Sequence, residues 1–137
     1  MILTTKARYA TIAVIDILES GLENNFQSPV SLSIISARQN ISLSFLEQIF
    51  SSLKKAQIVK SIKGPGGGYI LAKNPKDLNI ADIIVAVDEP IKMTRCAGKN
   101  GCVSKTTKCK THQIWHGLEQ NIYNYLQSIS LSTILKN

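Results

Sequence analysis

All three cysteines of the chain lie between residues 95 and 112, in the stretch RCAGKNGCVSKTTKCKTH, together with a histidine. Their spacing is Cys96-x5-Cys102-x6-Cys109-x2-His112. Thiolates and imidazoles bind zinc and iron, and a thiolate can also act as a redox nucleophile. The other residues are mostly glycine, lysine and hydroxyl-bearing side chains, which a hydrophobic core would not accept. The segment therefore predicts an exposed loop for metal binding or thiol chemistry.

Three kinds of site are compatible with these four side chains. Structural zinc can take three cysteines and a histidine, but its usual knuckle has about two to four residues between cysteines, and both gaps here are longer. Replacing Cys96 by His116 gives a Cys2His2 alternative. A thiol switch is possible because nearby cations favour the thiolate, yet it gives His112 no role. An iron–sulphur cluster accommodates all four groups and their wide spacing best, although the residues alone leave the three sites open.

Composition limits the class of protein. The chain has 137 residues, of which 44% are hydrophobic, enough for one domain with an ordinary core. It has no run of about 18 apolar residues, so we expect no membrane span. An odd number of clustered cysteines favours a reducing compartment, hence a cytoplasmic protein. No acid–base pair, nucleophile triad or nucleotide-binding loop is evident, so we do not expect an enzyme.

The positive charge is localised. The net charge is +7, and residues 48–76 and 91–118 each contain six lysines or arginines and no acidic residue. Localised positive charge is typical of polyanion-binding surfaces. We therefore expect double-stranded DNA as a partner, the alternative being a small redox or metal-storage protein whose basic surface is incidental.

The N-terminal half is patterned as a helix-turn-helix. A first helix should follow Thr4 and end before Gly21, a second should follow Ser31 and end at Asn40, and a third should cover residues 42–56. In the third helix Leu46, Ile49, Phe50 and Leu53 form an apolar stripe. The opposite side, which we call the reading face, carries Ser44, Glu47, Gln48, Ser51 and Lys55.

A hairpin should follow the helix-turn-helix. Residues 58–63 and 69–73 are β-prone and bracket Gly64-Pro65-Gly66-Gly67-Gly68. We call residues 58–73 the wing. Its tip, with Gly66 and Gly67, has little side-chain bulk and can approach a phosphate backbone or minor groove, where Lys60 and Lys63 supply charge. The fold class is thus mainly α with a small β-hairpin wing.

The C-terminal half predicts a connecting helix over 79–89, stopped by Pro90, and a long helix over 111–128. We place a winged helix-turn-helix domain at 1–76, and the connecting helix, cluster-binding loop (92–112) and dimerisation helix at 77–137. A homodimer through the last helix would present two wings to palindromic promoter sites. The apolar stripe of that helix comprises Ile114, Leu118, Ile122, Tyr125, Leu126 and Ile129.

These segments together resemble the IscR-like iron–sulphur cluster regulators, winged-helix transcription factors of the Rrf type. The resemblance runs essentially end to end, through LTTKARYA, ISLSFLEQIFSSLKKA, IKGPGGGYIL, AVDE, RCAGKNGC and KCKTHQIW. It implies a [2Fe-2S] cluster on Cys96, Cys102, Cys109 and His112. It also implies DNA contacts from Ser42, Ser44, Glu47 and Gln48 in the third helix and from Lys63 in the wing.

By the same resemblance, we expect the protein to sense cluster status, to receive its cluster from the assembly machinery and to control cluster-assembly genes. A zinc-binding or thiol-redox-switched repressor of the same fold is the alternative. Two positions depart from the family pattern. Lys63 replaces the usual arginine and is a more strongly hydrated charge, which weakens minor-groove reading. The gap between Cys102 and Cys109 is one residue longer than usual, and we expect a flexible loop to tolerate the extra residue.

Overall fold

The computed structural model describes residues 3–21, 28–87 and 110–135. Pro90, the three cysteines and most of the predicted cluster loop lie outside these residues. The described part is mainly helical with one two-stranded antiparallel sheet, which confirms the expected fold class. Its elements are α1 (Thr5–Ser20), α2 (Leu32–Gln39), α3 (Leu43–Lys55), β1 (Val59–Ile62), β2 (Gly68–Leu71), a 3-10 turn (Pro75–Asp77), α4 (Ile80–Val87), α5 (His112–Gln127) and α6 (Leu131–Ile134).

Side-chain caps begin the first three helices where the sequence predicts. The hydroxyls of Thr4, Ser31 and Ser42 accept hydrogen bonds from the amides of Ala7, Ile34 and Phe45 at 3.1, 3.3 and 3.2 Å. Asn40 ends α2 in the left-handed conformation, at φ 54°. The turn between α2 and α3 is therefore short and fixed at both ends.

The core lies between α1, α3 and α4. Leu46, Ile49, Phe50 and Leu53 of α3 are fully buried, which confirms the predicted apolar stripe. Helix α4 packs against α1 and α3 and also against α5. It thus connects the helix-turn-helix to the last long helix.

The wing is a hairpin whose register runs from Val59 opposite Leu71 to Ile62 opposite Gly68. Tyr69 also exchanges two backbone hydrogen bonds with Val30, of 3.0 and 2.9 Å, and its ring lies 4.9 Å from that of Phe50. A Cβ atom on Gly68 would lie 2.4 Å from the Val30 carbonyl, so only glycine allows this close approach. The wing is therefore fixed to the segment just before α2 and to α3.

The C-terminal segment returns to the chain between the wing and α4. The amide of Leu131 donates to the Leu78 carbonyl (2.9 Å), and that of Ile80 donates to the Ile129 carbonyl (3.1 Å). Leu131, in the short helix α6, is fully buried in the core. The sequence pattern did not predict α6. In the described ranges, the structure contains no helix long and apolar enough to cross a membrane.

Candidate nucleic-acid interface and metal centre

The reading face is exposed throughout. All five of its side chains lie on the side of α3 opposite the buried stripe. They combine hydroxyl, carboxylate, amide and ammonium groups, which can make hydrogen bonds to base edges and phosphates. Ser42 is exposed at the N-cap, where its hydroxyl accepts from Phe45 and keeps its own proton for a DNA acceptor. The structure thus brings every predicted α3 residue to one accessible surface.

The tip of the wing needs its glycines for two different reasons. Gly66 has a φ of 74° and open space around it, so a side chain there would be strained but not blocked. A Cβ atom on Gly67 would lie 2.2 Å from the Ile62 carbonyl oxygen of the same hairpin. Gly67 is therefore required for the turn itself. Lys63 is exposed beside this tip, whereas Lys60 is exposed nearer the base of the hairpin, opposite Ile70.

The structure also brings together lysines that the sequence places only in a basic segment. Lys54 of α3, Lys60 of β1 and Lys73, just after β2, line one cleft of about 410 Å³. We call it the lysine cleft. Charge counting finds these residues, but only the fold shows that they converge.

His112 is the first residue of α5 and is half-buried. Its ring stacks on that of His116, one turn further along, with centroids 6.0 Å apart and planes 9° apart. The described ranges contain no cluster of three or more metal-ligating side chains. The rest of the predicted ligand set lies outside them, and stays a prediction.

The apolar stripe predicted for α5 divides into two parts. Leu126 and Ile129 are partly buried against the core. Ile114, Leu118 and Tyr125, which are 60, 39 and 66% exposed, lie along a line that points away from it. We call these three residues the outer face of α5.

Comparison with known proteins identifies the family. The Rrf2 model, described as iron-dependent transcriptional regulator, matches residues 3–137. The chain belongs to the Rrf2 family. This confirms the resemblance drawn from the sequence motifs.

Relatives in this family match over the whole chain. The HTH-type transcriptional regulator IscR of Photorhabdus laumondii is 45% identical over all of this chain and 80% of its own length. IscR of Escherichia coli O1:K1 is 44% identical over all of this chain and 82% of its own. Among solved structures, T. potens IscR has a TM-score of 0.78 at 33% identity, covering 99% of this chain and 87% of that one.

A second solved structure of the same fold belongs to a different regulator. CymR, the global cysteine regulator of B. subtilis, has a TM-score of 0.79 at 28% identity, covering 98% of this chain and 95% of that one. Together with the exposed reading face and wing, the IscR relatives establish this Rrf2 chain as a DNA-binding transcriptional regulator.

Proposed function

We propose that this Rrf2-family regulator is a cytoplasmic sensor of iron–sulphur cluster status that controls cluster-assembly genes, and that it is not an enzyme. The observation that carries the proposal is the position of His112. The three-cysteine segment ends at the first residue of α5, and α5 packs on α4, which packs on the reading helix α3. The family description, iron-dependent transcriptional regulator, supports iron as the metal.

Cys96, Cys102, Cys109 and His112 would hold a [2Fe-2S] cluster supplied by the assembly machinery. When bound, the cluster provides iron–thiolate and iron–imidazole bonds that oxidation or iron loss can break. Three thiolates and a neutral imidazole around an oxidised core leave about one net negative charge. The cations at Arg95, Lys99, Lys105, Lys108 and Lys110 can offset it.

Packing supports a route from His112 to DNA. A change in the position of His112 displaces the N-terminal turn of α5, while hydrogen bonds at Leu78 and Ile80 retain the segment after its C-terminal end. Helix α4 lies between α5 and α3 and would transmit that displacement. A shift of the reading face relative to the wing changes DNA affinity, so cluster state becomes a binding signal.

A homodimer through the outer face of α5 completes the proposal. Ile114, Leu118 and Tyr125 are large apolar side chains whose exposure in one line is typical of an interface. A two-fold axis there would place two reading faces on the two halves of a palindromic promoter site. Lys63, Gly66 and Gly67 of each wing would contact the flanking minor groove or backbone.

A zinc-binding or thiol-redox-switched repressor is the second candidate. The stacked pair of His112 and His116 favours it, because two histidines one helical turn apart can bind one zinc ion. Such a site would use Cys102 and Cys109 as the other ligands. Measurement of iron and sulphide in the purified protein distinguishes this zinc site from a cluster, because only the cluster contains them.

The deciding experiment compares two forms of the full chain. Anaerobically reconstituted and apo protein are each used to select binding sites from random double-stranded DNA, and their affinities for the selected sites are measured. Different affinities or site preferences, with iron and sulphide in equal amounts in the reconstituted form, support cluster sensing. A colourless protein with stoichiometric zinc, or identical binding by both forms, contradicts it.

A further inference from the structure

Three lysines from separate elements converge at the junction of α3 and the wing. Lys54, Lys60 and Lys73 line the lysine cleft together with Gln57, Val59 and Ala72, so no carboxylate from the described part of the chain lines it. All three lysines are exposed, and within residues 3–21, 28–87 and 110–135 none of them makes an ion pair. Three unpaired like charges around one cleft form a site for an anion.

A tight helix end determines this arrangement. The amides of Gln57 and Ile58 donate to the carbonyls of Lys54 and Leu53, both at 3.0 Å, and Gln57 has a φ of 62°. This pair of bonds is a Schellman motif with glutamine at the left-handed position. It reverses the chain at once, so β1 returns beside the end of α3. Lys60 therefore comes close to Lys54 through backbone geometry rather than through flexible side chains.

The cleft lies at the junction of the two predicted DNA-reading elements, between the C-terminal end of α3 and the base of the wing. Glu47, Phe50 and Lys54 are three and four residues apart and lie along one side of α3, where the buried stripe borders the exposed reading face. Phe50 on that side contacts Tyr69 of the wing, at 4.9 Å between ring centroids. Lys54 thus lies on the side of α3 that faces the wing, on the same side as Glu47 of the reading face.

We propose that the lysine cleft binds a backbone phosphate of the DNA strand that separates the major groove, occupied by α3, from the adjacent minor groove, reached by the wing. The inference rests on the proposed DNA binding through the reading face and wing. Such a contact sets the register of the protein on the duplex and is independent of base sequence. It makes Lys54, Lys60 and Lys73 phosphate-binding residues distinct from the residues that read bases.

The test uses the full chain and DNA sites selected by the wild-type protein. The triple variant Lys54→Gln, Lys60→Gln, Lys73→Gln should bind more weakly at low salt. The slope of log affinity against log salt should fall by about 0.9 per bound protomer, one phosphate contact each. Between 50 and 200 mM salt, wild-type affinity should then fall about 3.5-fold more per protomer than that of the triple variant. Base preference at each position should stay unchanged.

A phosphate scan locates the contact. Single neutral methylphosphonates along the site should weaken wild-type binding at one phosphate between the grooves and should not weaken the triple variant there. Lys76→Gln, at an exposed lysine outside the cleft, is the matched control and should leave both results unchanged. Circular dichroism and thermal unfolding verify that the triple variant is folded.

The outcomes separate the two proposals. If wild-type protein selects no sites, DNA binding as proposed is wrong. If it selects sites and the folded triple variant has the wild-type salt slope and phosphate profile, the cleft does not bind DNA and an acidic protein surface becomes its partner. A changed base preference in the triple variant would also contradict a phosphate role.

Discussion

Asp16 of α1 is paired with Arg38 of α2, and the side-chain amide of Gln39 donates a second hydrogen bond to the same carboxylate at 2.8 Å. Asp16 is only 4% exposed, whereas the Arg38 side chain is 46% exposed. A buried carboxylate without its cation is strongly destabilising, because it has lost water on folding. This pair therefore holds the first helix of the winged domain against the helix-turn-helix.

Removing Arg38 should destabilise the protein more than removing both charges. Arg38→Ala should lower the free energy of unfolding by about 2 kcal/mol, since water reaches the half-exposed site and replaces part of the interaction. Asp16→Asn combined with Arg38→Ala should recover at least about half of that loss. Urea unfolding of the single and double variants measures both values. A double variant less stable than Arg38→Ala would contradict this account.

The wing should depend on Gly68 more than on Gly66. Gly68→Ala places a methyl group 2.4 Å from the Val30 backbone and should cost at least about 3 kcal/mol, with loss of DNA binding. The methyl group added by Gly66→Ala has no atom within contact distance, so this variant should lose only about 1 kcal/mol of stability, from its positive φ. Thermal unfolding ranks the two. Gly117→Ala, in an open position within α5, is the control and should stabilise the protein slightly.

Features of the fold that depend on a few neighbouring residues could be predicted from the sequence. Ser31, Ser42 and Asn40 mark helix ends through their own side-chain or backbone preferences, and all three mark the observed ends. Asp16 is different. In the sequence it only interrupts an apolar run, and its partner is 22 positions away.

Long-range packing explains what the sequence could not give. The pairing of Leu131 with Leu78 and the burial of α6 join segments more than fifty residues apart, which no local pattern specifies. The α5 stripe has one periodicity, but only the position of α4 decides that Leu126 turns inward and Tyr125 outward. Convergence of the lysine cleft likewise requires the turn at Gln57.

Glu47 should restrict which DNA sites are bound. A carboxylate on the reading face can accept a hydrogen bond from a cytosine amino group, but is repelled by phosphates when unpaired. Glu47→Ala should therefore bind a broader set of selected sites, losing about 1 to 3 kcal/mol of discrimination at one base pair. Sequencing of sites selected by wild type and variant measures this. Glu19→Ala, which removes an exposed carboxylate from α1, should leave the selected set unchanged.

The outer face of α5 should control dimer formation. Leu118→Glu or Tyr125→Glu places a charge among apolar side chains and should shift the protein from dimer to monomer without unfolding it. Sedimentation gives the oligomeric state and circular dichroism the fold. Gln120→Glu adds the same charge at an exposed position on the other side of the helix and should leave a dimer. A monomeric wild type, or a dimeric Tyr125→Glu, would show that α5 is not the interface.

His112 should determine how easily the cluster is lost. His112→Ala should reduce iron and sulphide retention after anaerobic purification, because one of four ligands is missing. His112→Cys should restore a cluster that survives mild acid better than the wild-type one, since protons compete with iron for an imidazole ligand. Visible absorption and iron analysis across a pH series follow the loss.

His116→Ala separates the two candidate metal sites. His116 stacks on His112 but is not a ligand of the proposed cluster, so this variant should retain iron and sulphide at the wild-type level. In a Cys2His2 zinc site it would be a ligand, and its removal would release the metal. Cys96→Ser has the opposite pattern, since it removes a ligand from the cluster and leaves the Cys2His2 set intact. If His116→Ala loses its metal and Cys96→Ser retains it, the site is a Cys2His2 zinc site and not a cluster site.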